Sequence, residues 1–204
     1  MNTRYPVPKQ TTRIEYRMSN SRFITTIARA DTVDDARTFI KSIRDEMPDA
    51  SHHVYAFKIG YGDSVNEGMS DDGEPTGTSG PPTLAVLRGE NTGDTVIVTT
   101  RYFGGTKLGT GGLVYAYTNA AKEAFAALPV EEKVTRKLVG VTVPYSLYER
   151  LKQLSDQYEG ILEDEEFAAE ITRYIRLPVE NIPAFGDALR ELSAGQVEPI
   201  ILED

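Results

Sequence analysis

The sequence predicts an α+β protein of two domains, residues 1–133 and residues 134–204. Two observations carry this prediction. Thirteen of the 17 glycines lie before residue 113, whereas the chain beyond residue 133 is acidic, poor in glycine and regularly patterned. In that second part the apolar periodicity changes in the order β-α-β-β-α-β, which is typical of a split βαβ unit. A chain of 204 residues is also long enough for one large core or two small ones.

Alternation with a period of two residues predicts the strands of the first domain. Ile14, Tyr16 and Met18 share one face of a strand over residues 13–18. Ser19-Asn20 then reads as a turn into a return strand over residues 23–30. Two further strands are expected over residues 53–61, which alternate in the same way, and over residues 95–102, which are rich in β-branched side chains.

Helical spacing and helix-end signals predict three helices in this domain. Asp31 is expected to cap the first helix, which runs to Met47 because Pro48 stops it. Pro81-Pro82 suits the first turn of a short second helix, where amide hydrogens have no helical partner. The alanine-rich residues 113–128 form the third helix. This leaves residues 62–80 and 104–112 as glycine-rich loops.

The second domain is predicted to be ferredoxin-like. Four segments are patterned as strands and two as helices, and about 70 residues accommodate them comfortably. The expected strands are residues 134–144, 160–163, 170–177 and 197–202, and the expected helices are residues 147–158 and 183–192.

The composition excludes several kinds of functional site. The chain has no cysteine, which rules out a disulfide scaffold, a thiol nucleophile and cysteine-ligated metal centres. Its two histidines, His52 and His53, are adjacent in a predicted strand and therefore point to opposite faces. We expect no metal site, no cofactor and no metal requirement for folding. The sequence shows neither an apolar run of membrane-spanning length nor a signal peptide, so a cytoplasmic protein without membrane contact is expected.

Charge is unevenly distributed along the chain. The formal net charge is −9, but residues 1–30 carry 6 basic residues against one acid, whereas residues 136–204 carry 7 basic and 14 acidic residues. The overall balance disfavours indiscriminate binding to nucleic acid. A local basic face on the first domain stays open as an interpretation.

The first glycine-rich loop concentrates acidic residues. Asp71, Asp72 and Glu74 flank Gly73 within the run Ser-Asp-Asp-Gly-Glu-Pro-Thr-Gly-Thr-Ser-Gly. Three carboxylates so close together could coordinate a hard cation or act as an acid and a base. The same residue types also form ordinary solvated turns. The spacing is not that of an EF-hand.

The second loop combines glycines with a cation between a strand and a helix. Flexible glycines, free amides at a helix start and Lys107 favour an anion. A tight chain reversal with close strand–helix packing explains the same residues. The loop is not a Walker A motif, because Thr110 stands where the lysine is required, and it lacks the third glycine of a dinucleotide fingerprint.

Together the two loops resemble the signature of the IMPACT/YigZ family. The resemblance rests on the run from Ser70 to Gly80, the run from Arg101 to Leu113, the pair His52-His53, and Ser21-Arg22-Phe23 in the second predicted strand. It implies a first domain folded like domain IV of elongation factor G and like the second domain of a small-subunit ribosomal protein. The tail resembles elongation factor G's last domain. The family brings no catalytic residue set.

The resemblance also implies a link to translation. Similar eukaryotic proteins regulate translation by competing for the activator of a stress-responsive initiation-factor kinase, and bacterial members have been suggested to bind nucleic acid. Here Asn20, Pro81 and Tyr115 stand where basic residues are common. Fewer cations mean weaker phosphate binding. The cations that remain, and that are expected to line one face, are Arg22, Lys58, Arg101 and Lys107.

The leading hypothesis is therefore a non-enzymatic, translation-linked regulator or binding protein. It would contact RNA, the ribosome or a regulatory protein through the glycine-rich face of the first domain, where both loops should lie beside Arg101. The binding residues expected are Arg22, His53, Asp71, Asp72, Gly73, Glu74, Arg101, Gly104, Gly105, Lys107, Gly109, Gly111 and Gly112.

Two alternatives remain open. One is a nucleotide- or phosphate-binding enzyme in which the Asp71–Glu74 carboxylates hold Mg²⁺ and Lys107 pairs with phosphate over the 104–112 loop. The other is an interaction adaptor whose loops serve only the fold.

Overall fold

A computed structural model describes residues 3–202 and divides the chain between Lys133 and Val134 into two compact units. We call them the N-terminal unit and the C-terminal unit. Among the helices described over residues 3–202, none combines the length and the apolarity that crossing a bilayer requires.

The N-terminal unit is built on a five-stranded antiparallel sheet with helices on both faces. Its elements are β1 (Arg4–Pro8), β2 (Thr12–Met18), β3 (Ser21–Arg29), α1 (Val33–Glu46), β4 (His52–Tyr61), β5 (Ser64–Ser70), α2 (Gly80–Gly89), β6 (Thr95–Tyr102), α3 (Gly109–Ala126) and β7 (Val130–Val134). The main sheet has the order β2-β3-β6-β4-β5, and β1 pairs with β7 in a separate ribbon.

The central strand β6 explains why the core has two layers. Successive side chains of a strand point to opposite faces, so Val96 and Val98 pack against α1 while Ile97 packs against α2 and α3. Both faces are covered, and residues 95–101 are therefore all buried. The predicted β-branched strand over residues 95–102 is this central strand.

Strand β5 corrects the expectation of a loop over residues 62–80. The segment Ser64–Ser70 forms the outer strand of the sheet and pairs with β4. An edge strand needs only backbone hydrogen bonds on one side, so its polar side chains give little strand signal. Gly68 makes room here for the ring of Phe57, because a Cβ at this position would lie 2.3 Å from that ring and displace it.

Two helix starts also differ from the sequence expectation. Thr32, not Asp31, caps α1, because its hydroxyl accepts from the Asp35 amide while the Asp35 carboxylate accepts from the Thr32 amide. Helix α3 begins at Gly109 rather than at residue 113. The last glycines of the second loop therefore belong to the first helical turn.

The β1–β7 ribbon, which the sequence patterns did not indicate, is held by a buried carboxylate. The Asp94 side chain is only 2% exposed and accepts hydrogen bonds from the Tyr5 hydroxyl and the Gly60 amide, both at 2.8 Å. Lys133 Nζ reaches the same carboxylate at 2.5 Å. The last strand of the N-terminal unit is thus tied to its core.

The C-terminal unit confirms the predicted β-α-β-β-α-β arrangement. Its two helices pack on one face of a four-stranded antiparallel sheet whose order is β11-β8-β10-β9. Its elements are β8 (Arg136–Val143), α4 (Tyr148–Gln157), β9 (Ile161–Phe167), β10 (Ile171–Pro178), α5 (Ile182–Leu192) and β11 (Ile200–Ile201).

Candidate functional site

The first glycine-rich loop closes over a buried carboxylate. Glu74 Oε1 accepts hydrogen bonds from Arg101 Nη1 at 2.6 Å and from the Tyr117 hydroxyl at 2.7 Å. The end of β6 positions Arg101 and the third turn of α3 positions Tyr117. These three residues, which we call the Glu74 cluster, therefore join the loop to both elements. The side chains of Glu74 and Arg101 are 3% and 6% exposed.

Aromatic rings and small polar groups enclose the Glu74 cluster. The Arg101 guanidinium lies over the rings of Phe23 and Phe103, and its Nη2 approaches the Ser21 hydroxyl at 3.4 Å. Burial raises the pKa of the Tyr117 hydroxyl, and the Glu74 charge raises that pKa further. An arginine so enclosed cannot meet a phosphate without breaking its ion pair, which corrects the expectation that Arg101 and Glu74 face a ligand.

The two aspartates of the loop are also directed into the protein. Asp71 accepts hydrogen bonds from the amides of Gly77, Ser79 and Gly80, and so binds the first turn of α2. Burial opposes ionisation of Asp71, but these amides outweigh it and lower the carboxyl pKa. Asp72 accepts from the His53 amide at 2.6 Å and pairs with Arg44.

These contacts separate the three carboxylates that an Mg²⁺ site would need. Asp71, Asp72 and Glu74 each have different partners within the chain. Over residues 3–202, no three histidine, aspartate or glutamate side chains are grouped closely enough to hold a metal ion.

His53, which the sequence places among the binding residues, lies under the surface. It is 8% exposed, and its Nδ1 is 3.1 Å from the Thr100 hydroxyl. Burial lowers the pKa of the imidazole below its ordinary value of 6.5. His53 therefore folds as a neutral ring and is not available to a ligand at the surface.

Acidification is expected to destabilise the N-terminal unit through His53. Because the folded pKa lies below the unfolded one, this stability is fully present above about pH 6.5 and is lost as the pH falls towards the folded pKa. One such group adds a slope of at most about 1.4 kcal/mol per pH unit. Urea midpoints at about pH 7.5 and about pH 5.5 should differ more in the wild type than in His53→Gln. Equal differences would contradict the assignment.

Close contacts or positive φ angles explain most of the glycines in the second loop. A Cβ at Gly104 would lie 2.1 Å from the backbone of Asn20, and Gly112 already packs against Leu108. Positive φ angles account for Gly105 and Gly109. Gly111 is different, since its φ is not positive and a Cβ there would meet nothing within 4 Å. Contacts within the chain do not explain a glycine at Gly111.

Exposed apolar side chains surround this position, and sequence reasoning missed them. Val114 and Tyr115 follow Gly111 at helical spacing and are 39% and 58% exposed, on the side of α3 opposite to the buried Leu113, Ala116 and Tyr117. We call Gly111, Val114, Tyr115 and Thr118 the α3 face. The helical spacing of Gly111, Val114 and Tyr115 is the sequence signal from which this exposed face could have been predicted.

The α3 face continues into an apolar groove between α2 and α3. The groove has a volume of about 630 Å³. It is lined by Gly77, Pro81, Pro82, Ala85, Val86, Gly89, Glu90, Val114, Thr118 and Lys122.

The prediction that four cations line one face is wrong. Arg22 pairs with Glu15 at 2.8 Å, and Arg101 is buried against Glu74. Lys58 is also buried, where its Nζ donates to the backbone carbonyls of Leu87 and Glu90, both at 3.1 Å. Of the four cations, Lys107 is the one whose side chain is open to solvent and has no carboxylate partner within the described residues.

Comparison with known proteins assigns both parts of the chain to described domains. Residues 19–125 match the Impact N-terminal domain, and residues 141–196 match a domain of unknown function (DUF1949). An IMPACT family member of Haemophilus influenzae is 38% identical over 200 residues, which are 98% of this chain and 97% of the relative. The IMPACT family member YigZ of Escherichia coli is 34% identical over 199 residues, which are 97% and 98% of the two chains.

One solved structure gives the same picture of the fold. A crystal structure described only as that of a hypothetical protein is 33% identical and aligns over 100% of both chains with a TM-score of 0.73. The two-domain translational regulator Yih1 aligns over 59% of this chain and 46% of its own, at 20% identity and a TM-score of 0.37. That second likeness is too weak to bear on function.

Proposed function

The chain belongs to the IMPACT family, and we propose that it is a non-catalytic, cytoplasmic regulator linked to translation that binds a protein partner through the α3 face and the adjoining groove. One observation carries the proposal. Gly111 lies in open space on a helix whose neighbouring exposed side chains are apolar. Apart from proline, glycine has the lowest helix propensity of all residues, so close approach by another molecule supplies a reason for a glycine here that internal packing does not.

The charges favour a protein over RNA as the occupant. Binding to a nucleic-acid backbone scales with the number of cations that reach phosphates. Three of the four expected cations are buried or paired, which leaves Lys107 beside the α3 face and Lys122 in the groove. A mainly apolar protein surface that carries a carboxylate opposite one of these lysines matches this composition.

The contacts of the first loop do not support the enzyme alternative. Its carboxylates are occupied by backbone amides, Arg44, Arg101 and Tyr117, and they hold the loop shape on which α2 and α3 rest. In the proposed function this acidic loop therefore acts as a support for the binding surface.

The test replaces Gly111 by glutamine in the full chain. Glutamine has a higher helix propensity than glycine, and a Cβ at this position meets nothing within 4 Å, so the variant should fold at least as well as the wild type. Its side chain should nevertheless block close approach and reduce partner capture about tenfold or more. Ser42→Gln is the matched control, because Ser42 is exposed on α1, on the other face of the same sheet.

The measurement is quantitative co-purification with full-length protein from lysates of the cells that express it, with and without RNase. The proposal is supported if proteins of translation or its regulation are captured and if their capture persists after RNase treatment. Capture must also be retained by Ser42→Gln and lost in Gly111→Gln. Capture that disappears with RNase would assign the surface to RNA. Equal capture by both variants would remove the α3 face from consideration.

A further inference from the structure

Strand β9 leaves one edge of the C-terminal sheet open. In the order β11-β8-β10-β9 it is the last strand, and no strand within residues 3–202 pairs with its outer side. Every second residue of such a strand presents its backbone N–H and C=O groups outward, where another strand can join the sheet. With seven residues from Ile161 to Phe167, β9 is long enough for a partner strand.

The side chains of β9 combine exposed apolar ends with an acidic middle. Ile161, Leu162 and Phe167 are 54%, 46% and 59% exposed. Between them lies the run Glu-Asp-Glu-Glu over residues 163–166. Exposed apolar residues at an unpaired edge invite association, whereas charges restrict which strand can associate.

Pairing with β10 places two of the four carboxylates on the sheet face that lacks helices. Glu165 lies opposite Arg173, and its Oε1 is 2.6 Å from Arg173 Nε on the helix side. Asp164 and Glu166 alternate with Glu165 and lie opposite Tyr174 and Thr172 on the other face.

The charge of this open face is evident at Tyr174. The nearby Glu166 carboxylate, followed by partial burial and by the Asp164 charge, raises the pKa of the Tyr174 hydroxyl. Asp164 and Glu166 are themselves exposed. On the same face Arg176 pairs with Glu163, which leaves the charges of Asp164 and Glu166 uncompensated among the described ion pairs. The open face beside the β9 edge is therefore negative.

This pattern disfavours a second copy of β9 as the added strand. An antiparallel pair of identical β9 strands would place acidic residues opposite acidic residues, and directly opposed like charges destabilise a sheet. A strand with lysine or arginine at every second position is complementary, because Asp164 and Glu166 are also two residues apart on one face. The C-terminal unit as a whole has the same sign, since residues 136–204 carry 14 acidic against 7 basic residues.

We infer that the outer edge of β9 is a docking strand for a basic, extended segment of a protein partner. The segment joins the sheet by backbone hydrogen bonds, sets two cations opposite Asp164 and Glu166, and covers the exposed apolar side chains at both ends of β9. The surface lies in the C-terminal unit and uses no residue of the α3 face, so its test is independent of the function proposed for the N-terminal unit.

The probe is a fluorescein-labelled peptide of eight alternating valine and lysine residues, titrated into the full-length protein. Two comparison peptides separate the contributions. One has glutamate in place of lysine, and the other keeps the lysines but carries N-methyl groups on alternate amides, which removes strand pairing while conserving charge. Only the unmodified lysine peptide should bind, and β9 amides should then exchange their hydrogens more slowly.

The variant for this test is Asp164→Lys/Glu166→Lys. It should bind the lysine peptide about tenfold more weakly and gain affinity for the glutamate peptide, because two cross-strand pairs change from attraction to repulsion. Asp156→Lys/Glu191→Lys is the matched control: it makes the same change in net charge at exposed positions of the helices, on the covered side of the sheet.

Three results would overturn the inference. The first is no binding of the lysine peptide to wild-type protein. The second is equal binding of the N-methylated peptide, which would reduce the contact to unspecific attraction. The third is equal weakening by both double variants. Hydrogen exchange at β9 of the wild-type protein decides the matter even if a variant folds poorly.

Discussion

Replacing Arg101 by methionine is expected to lower the free energy of unfolding of the N-terminal unit by about 3–5 kcal/mol. The substitution leaves the Glu74 carboxylate buried, with the Tyr117 hydroxyl as its remaining hydrogen-bond donor at 2.7 Å. His52 Nε2, at 3.8 Å, is too distant to replace the guanidinium. Urea unfolding of the full chain, followed by hydrogen exchange in peptides of the N-terminal unit, measures the loss.

A double substitution separates charge burial from packing. In Arg101→Met/Glu74→Leu both charges are removed together, and most of the stability should return, because the cost comes from leaving one charge without its partner. Arg88→Met is the control, since its partnership with Glu67 is exposed and should contribute less than about 1 kcal/mol. An Arg101→Met variant as stable as Arg88→Met would show that the Glu74 cluster is not a buried ion pair.

Replacing Phe185 by alanine should destabilise the C-terminal unit by about 3–5 kcal/mol and leave the N-terminal unit unchanged. Phe185 on α5 is fully buried and packs edge-on against Tyr158, so its removal opens a cavity in the smaller core. Phe167→Ala is the matched control, because it makes the same substitution at a side chain that is 59% exposed and whose loss leaves no buried cavity.

The same experiment tests the division of the chain at residue 133, which we propose as a division in folding as well as in structure. Hydrogen exchange read separately over residues 3–133 and 134–202 should show loss of protection in the second range alone. Equal loss in both ranges would mean that the two units unfold together and that the division has no thermodynamic meaning.

The architecture could be predicted from the sequence wherever a segment is patterned against a core. The buried run of β6 and the order of elements in the C-terminal unit follow from apolar spacing alone. Strand β5 lies at the edge of the main sheet, and β1 and β7 form a separate two-stranded ribbon; both escaped prediction. There, backbone pairing and a single distant side chain such as Lys133 replace the apolar pattern.

The candidate site was likewise predictable in part from the sequence. The two glycine-rich motifs and the family could be recognised from residue order, because these are properties of neighbouring positions. Whether a charge in a motif faces solvent or another charge is a property of positions far apart in the chain: Glu74 meets Arg101 and Tyr117 across 27 and 43 residues.

By itself the sequence determined the central strands and the helices of the N-terminal unit, the order of elements in the C-terminal unit and the membership of a family. Only the tertiary structure decided that the acidic loop is an internal support, that Arg101 is enclosed between aromatic rings, and that Val114 and Tyr115 face outward beside an unexplained glycine. The physical reason is that a charged side chain is stable either in water or beside a buried partner, and residue order does not distinguish the two until the sheet has brought the partner into contact.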